Sequence, residues 1–123
     1  MPPGRGLRGR AMAAVFRLLC RFFSNPRVPV ARPLADGASL AEQGLPARVL
    51  HTAGHTADSI SILLEDGTAF VGDLVGASGR RACPQPYFVE DDAALAASLS
   101  RLKQECPRRL YNSHDIHPLE PPW

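Results

Sequence analysis

Three short polar clusters along the chain carry side chains of the types that bind metal ions. His55 lies in a glycine-flanked turn (HTAGHT, residues 51–56), Asp73 follows an apolar run, and His114 belongs to the cluster Asn112–Asp115. An acidic residue that ends an apolar strand is poorly placed for packing, because its charge is costly to bury without a partner. It is well placed to face a cation. Two histidines and an aspartate, each after a short strand, suit borderline metals such as zinc or iron.

Short strands joined by tight turns must position these three side chains. Asp66-Gly67 is a strong signal for a two-residue β-hairpin between two β-prone runs. The segment Gly76–Pro86 is rich in small residues and is predicted as a loop, with Arg80 and Arg81 exposed at its centre. The predicted strands cover residues 28–30, 39–40, 49–51, 59–64, 69–71 and 108–112, and a proline-rich tail follows at 118–123.

Two helices complete the predicted architecture. Ala11–Phe23 has apolar residues at helical spacing, with Arg10, Arg17 and Arg21 together on another face. Asp91 or Asp92 can cap the N-terminus of the second helix, which carries one apolar stripe formed by Leu95, Leu99, Leu102 and Cys106. Strands interspersed with two main helices predict an α+β fold with a mixed sheet.

The motifs GHT, GD and SH, which contain His55, Asp73 and His114, resemble those of the metallo-β-lactamase-fold metallohydrolases. The resemblance implies that His55 binds one metal, that Asp73 bridges two metals and is catalytic, and that His114 binds the second. The family's HxHxDH motif is absent, since the chain has four histidines and none lies before His51. We therefore expect the chain to match the C-terminal half of this αββα-type fold, which is half of the sandwich.

The same resemblance implies hydrolysis of a small-molecule ester, thioester, lactone or similar substrate by a metal-activated water. The expected cofactor is zinc, as one or two ions, with iron or manganese as alternatives. Because only three family ligands remain, we expect low metal occupancy and weak or no activity for this chain alone, and either self-association or a complementing chain to cover the exposed sheet. The alternative function is a non-catalytic remnant or interaction module that binds through its basic helix.

The two remaining histidines are accessory candidates for the metal site. His51 precedes the GHT turn by four residues, and its place in a strand favours a bond to the turn over metal ligation. His117 lies three residues beyond His114 and would join the site only if a helical turn formed there. For His117 an exposed position in the tail is the favoured interpretation.

Charge divides the chain into two parts. Residues 1–35 contain seven arginines and no acid, whereas residues 36–123 contain seven basic and twelve acidic residues. We assign residues 1–24 to a basic lead-in and amphipathic helix and 25–123 to the metallohydrolase-like domain. The helix has three interpretations: a structural helix covering the sheet, which is favoured, a membrane-surface helix, or a mitochondrial transit peptide.

Partners and compartment follow from composition. Nucleic-acid binding is not expected, because the arginines are not accompanied by a recognised nucleic-acid-binding motif. The three cysteines have no CxxC spacing, which argues against a disulfide framework and favours a reducing compartment. We expect a cytoplasmic location, or a mitochondrial one if the basic segment is a transit peptide. No apolar stretch is long enough to span a bilayer.

Overall fold

The computed structural model describes residues 11–12, 14–15, 18–19, 22, 29–30, 32–84, 86 and 88–123. Its elements are a short 3₁₀ helix Ala41–Gln43, strands β1 (Ala47–His51), β2 (Ile60–Leu64), β3 (Thr68–Gly72), β4 (Gly76–Ser78) and β5 (Arg81–Cys83), helix α1 (Asp92–Gln104), and strand β6 (Arg109–Asn112). The predicted α+β class with a mixed sheet is confirmed.

The main sheet has four strands in the order β1-β2-β3-β6. Strands β1 to β3 are antiparallel neighbours, and β6 adds to β3 in parallel. The β2–β3 hairpin turns through three residues, Glu65, Asp66 and Gly67, and not through the predicted two. Gly67 has a left-handed φ of 83°, and the Asp66 carboxylate accepts a hydrogen bond from the Thr68 backbone N–H at 2.8 Å. A parallel pair needs a long crossover. The segment that contains the β4–β5 hairpin and α1 supplies it.

Helix α1 covers one face of the sheet. Asp91 caps its N-terminus by accepting hydrogen bonds from the backbone N–H groups of Ala93 and Ala94. Its buried side chains, Leu95 and Leu102 among them, pack against the strands in a continuous apolar core. The core also contains Leu50, Leu63, Ala69, Val71, Leu74, Val75, Ala82, Val89, Leu110 and Leu119.

The opposite face of the sheet is only partly covered. A small cluster formed by Leu40, Ala47 and Val49 buries the β1 side of this face. On the same face, over β3 and β6, the rings of Phe70 and Tyr111 stack with their centroids 5.2 Å apart. Phe70 remains 47% exposed. This outer face therefore presents apolar surface to solvent.

Four local predictions are corrected by the structure. The strand predicted at residues 28–30 is absent at Pro29 and Val30; Pro29 has no backbone N–H to donate to a neighbouring strand, and Val28 lies outside the described residues. The predicted loop 76–86 contains the β4–β5 hairpin. Cys106 leaves the apolar stripe, since it is exposed and has a left-handed φ of 49°. The tail buries Leu119, which pairs with Leu110.

The basic segment is only partly described. Its described residues at 11–12, 14–15 and 18–19 are helical, in agreement with the prediction. The predicted packing of its apolar face on the sheet is wrong for Met12, Val15 and Leu19, which are 49%, 59% and 49% exposed. Phe16, Phe23 and the proposed boundary at residues 24/25 lie outside the described residues. Within the described part of the chain, no helix is long and apolar enough to cross a membrane.

Candidate functional site

His55, Asp73 and His114 come together at one end of the sheet, as expected from the sequence. The Nε2 atom of His55 lies 3.3 Å from Oδ2 of Asp73, and the Nε2 atom of His114 lies 3.1 Å from Oδ1 of the same carboxylate. Each oxygen of Asp73 is thus faced by a different imidazole nitrogen. The carboxylate lies at the centre of the cluster, with its side chain 27% exposed.

The end of β3 turns sharply to place Asp73. Gly72 has a left-handed φ of 54°, and the pairing of β3 with β6 shifts register between Phe70 and Gly72. Glycine adopts this conformation without steric cost. Gly72 pairs with Asn112, and its carbonyl accepts a hydrogen bond from the Ser113 N–H at 3.3 Å. The same pairing therefore brings the Asp73 and His114 loops together.

The turn that carries His55 is held against the start of α1. Gly54 has a φ of 144°, and a Cβ placed on it would lie 2.5 Å from the Cα of Leu95. The Gly54 carbonyl accepts hydrogen bonds from the N–H groups of Glu90 and Asp91 at 2.8 and 3.1 Å. Only glycine permits this close approach of turn and helix.

Two side chains also hold the His55 turn against the α1 region. The Glu90 carboxylate accepts a hydrogen bond from the Ala57 N–H at 2.8 Å, and the Ser98 hydroxyl donates to the Ala53 carbonyl at 2.7 Å. Both bonds run from the α1 region to the turn. The backbone on each side of His55 is therefore fixed relative to the helix.

The hydrogen bond at the far side of the His55 ring determines its tautomer. Nδ1 lies 2.7 Å from the carbonyl oxygen of Phe88, so Nδ1 must be the donor. In the neutral ring, Nε2 then carries a lone pair directed at the Asp73 carboxylate. Two acceptors that face each other at 3.3 Å repel unless a proton or a metal ion lies between them. The arrangement is therefore suited to a cation.

Asn112 organises the loop that carries His114. Its side-chain oxygen accepts hydrogen bonds from the N–H groups of His114 and Asp115 at 3.2 and 2.9 Å, which is an Asx-type turn. Its amide also approaches the Val75 carbonyl at 3.5 Å. The His114 side chain itself is 77% exposed. It therefore reaches Asp73 from the solvent side.

The Asp73 carboxylate has an unsatisfied oxygen. Oδ1 is buried and accepts no hydrogen bond from the described residues, although the His114 nitrogen lies close by. A buried carboxylate oxygen without a donor is costly. This observation fits a metal ligand, whose lone pair is satisfied by the ion.

A cleft of about 500 Å³ opens over these three side chains. Its remaining lining is mainly apolar or small, with a thiol on one side, and consists of Met12, Val75, Gly76, Ala77, Cys83, Pro86, Phe88, Asn112 and Asp115. A polar cluster at the base of an apolar cleft is the usual form of a small-molecule site.

The two accessory histidines lie elsewhere among the described residues. Nε2 of His51 is 2.8 Å from the Ala57 carbonyl, so His51 bonds to the turn, which was the favoured interpretation. His117 is exposed and is not part of the cleft lining. No group of three or more His, Cys, Asp or Glu side chains able to hold one metal ion occurs in the described part of the chain. The cluster instead supplies two pairs, each an imidazole and one oxygen of Asp73.

Sequence reasoning missed the residues that support the site. The carbonyl of Phe88 and the carboxylate of Glu90 act on residues 33 positions away in sequence, and the Ser98 hydroxyl on one 45 positions away. No local pattern marks such partners. Asn112 was recognised as part of a polar cluster, and Asn before a turn is a signal from which its role could have been inferred.

Relatives of known sequence support the resemblance. No family model matches the chain. It is 29% identical over 92 residues to the beta-lactamase-like protein 2 homolog of Drosophila melanogaster, covering 72% of this chain and 30% of that protein. It is 32% identical over 84 residues to an atrochrysone carboxyl ACP thioesterase of Pseudocercospora fijiensis, covering 68% and 23%. The chain thus spans less than a third of these curated relatives.

Solved structures agree with the sequence relatives. TTHA1623, described in a di-iron-bound form, superimposes with a TM-score of 0.58 at 30% identity, covering 91% of this chain and 52% of that one. A metallo-β-lactamase from Erythrobacter litoralis gives a TM-score of 0.57 at 27% identity, covering 76% and 44%. Sequence and structure together place the chain in the metallo-β-lactamase superfamily, of whose domain it covers a part.

Proposed function

We propose that His55, Asp73 and His114 bind metal ions in a hydrolytic centre, with Asp73 between two metal positions. The observation that carries this proposal is the pair of contacts at Asp73, whose two oxygens are each faced by an imidazole nitrogen at 3.3 and 3.1 Å. The buried, unsatisfied Oδ1 atom supports it further. Imidazole and carboxylate ligands suit zinc and iron.

The chemistry that bound metal ions would supply here is Lewis-acid activation of a water for attack on an ester, thioester or lactone. In this chain the Phe88 carbonyl fixes the His55 ring with Nε2 towards Asp73, so His55 and Asp73 would hold the metal ion together. Asp73 would neutralise the positive charge and orient the water by accepting its proton in a hydrogen bond. The thioesterase name of the relative from Pseudocercospora fijiensis supports an acyl substrate.

The cleft wall supports a substrate with an apolar acyl part. Val75, Pro86 and Phe88 line the space beside the three polar side chains. An apolar group held there would exclude water from one side of the reacting carbonyl, which strengthens electrostatic interactions at the site. This apolar wall would orient the substrate, whereas the hydrolytic reaction would depend on Asp73.

We further propose that this chain alone binds metal weakly and is a poor hydrolase. Each metal ion would be held by one imidazole and one oxygen of Asp73, whereas structural zinc sites have four protein ligands. Four-ligand zinc peptides gain about 10–16 kcal/mol on binding, so half of the ligands would give roughly 5–8 kcal/mol. That corresponds to a Kd of roughly 1–200 µM. A second chain that completes the shell would tighten binding.

The test is calorimetric titration of the chain with Zn²⁺ and Fe²⁺, together with metal analysis after dialysis and a thioester hydrolysis assay. We expect micromolar binding, little metal retained on dialysis and slow hydrolysis. The variant Asp73→Asn should abolish binding, because it removes the central charge while keeping the side-chain shape. The matched control His117→Ala removes an exposed histidine outside the cleft and should leave the titration unchanged. Equal loss in both variants, or binding unaffected by Asp73→Asn, would refute the assignment of the site. Stoichiometric metal retained after dialysis would refute the proposal that this chain binds metal weakly, but not the assignment of the site.

A further inference from the structure

The basic segment exposes a row of large apolar side chains. Met12, Val15, Leu18 and Leu19 are 49%, 59%, 58% and 49% exposed, and Phe22 is 79% exposed. The first four are helical. At 3.6 residues per turn these four positions fall within a stripe about 120° wide, and Phe22 follows in a bend after them. An apolar stripe of this kind on a helix is normally covered by another element.

The charge of the same segment is of one sign. Residues 1–35 contain seven arginines and no acidic residue. Arg10, Arg17 and Arg21 lie outside the described residues, but their sequence spacing predicts a common helical face opposite the apolar stripe. Arg32, further along, is exposed and pairs with Glu42 at 3.2 Å. The segment thus combines an exposed apolar stripe with an unbalanced positive charge.

We propose that this segment is an interfacial helix that binds the surface of an anionic lipid bilayer. The apolar side chains would enter the boundary between headgroups and acyl chains, and the arginines would contact the negatively charged headgroups. A protein partner would need both an apolar groove and an acidic rim, whereas an anionic bilayer offers both properties over its whole surface. Met12 also lines the cleft, so binding would bring the opening of the cleft close to the membrane.

The test is co-sedimentation of the full chain with phosphatidylcholine vesicles, with and without phosphatidylserine, at low and high salt. We expect binding only to the vesicles that contain phosphatidylserine, with strong weakening by salt. Replacing Arg10, Arg17 and Arg21 by glutamine should weaken binding on the order of 100-fold, since each basic residue near the surface contributes about fivefold. The control replaces Arg80, Arg81 and Arg108, all exposed, by glutamine, which gives the same change in net charge.

A second pair of variants tests the apolar contribution. Leu18→Ser with Phe22→Ser should abolish vesicle binding while leaving the unfolding transition unchanged, because both side chains are already exposed. Absence of vesicle binding, equal binding to pure phosphatidylcholine, or equal loss in the control triple variant would overturn the proposal. Retention on a single-stranded oligonucleotide in preference to the vesicles would overturn it in favour of nucleic acid.

Discussion

Replacing Gly54 with alanine tests how the candidate site is assembled. The added Cβ would lie 2.5 Å from the Leu95 Cα and 2.7 Å from the Leu95 N, both of them backbone atoms of α1. Ordinary contact begins at 3.4 Å, so turn and helix must separate by about 0.9 Å. Overpacking of this kind costs about 1–3 kcal/mol, and the φ of 144° adds strain of about 1–3 kcal/mol for an L residue.

We therefore expect Gly54→Ala to lower the free energy of unfolding by about 2–6 kcal/mol, a large part of the ~5–15 kcal/mol typical of a domain. The measurement is urea unfolding followed by circular dichroism. The control is Gly44→Ala, where φ is also positive, at 78°, but nothing lies within 4 Å of the added Cβ. It should cost only about 1–2 kcal/mol. Equal costs for the two variants would show that the contact with Leu95 does not limit the turn, and the reasoning would fail.

Two further predictions concern acid stability and self-association. The backbone N–H of His51 and then the Arg101 guanidinium hold the pKa of Asp36 below its usual value of 3.8. The Asp36 carboxylate therefore stabilises the fold above pH 3.8, and this stabilisation is lost as the pH falls through the lowered pKa. Asp36→Asn should therefore flatten the fall in stability below about pH 4 in acid-unfolding curves, and an unchanged curve would contradict the assignment. The exposed outer face of the sheet should make the chain self-associate. Phe70→Ser should weaken that association on the order of tenfold in sedimentation velocity runs, because the exposed half of the phenylalanine side chain would no longer be buried at the contact. A parent chain that stays monomeric at all concentrations would refute the prediction.

The candidate site could be found from the sequence because its three polar side chains follow local signals. His55 lies in a glycine-flanked turn, Asp73 follows an apolar strand, and His114 follows the last strand. Residues that follow strands at the same end of a sheet lie close together, so the sequence pattern was enough to predict that these three side chains meet. Their role as metal ligands stays a prediction. The β2–β3 hairpin was equally local, since Asp66 and Gly67 both lie in its turn, although that turn has three residues where two were predicted.

The features that were missed depend on contacts distant in sequence or on conformations without a composition signal. Glu90 reaches Ala57 only because α1 packs across the turn, and nothing near either residue marks the contact. The β4–β5 hairpin is built from small residues with low strand propensity, so its pairing is decided by the neighbouring structure. Cys106 continued the helical spacing, but the helix had already ended at Gln104.

The parallel pairing of β3 with β6 has a consequence for the order of folding. The β2–β3 hairpin closes a three-residue turn and can form within microseconds, whereas Gly72 pairs with Asn112 only after a connection of about 40 residues has closed. Asp73 is therefore presented early, and His114 arrives with the slowest long-range contact of the sheet. A cation that bridges these two side chains would bind only after that last strand docks. Its binding rate in a refolding experiment would then report completion of the sheet directly.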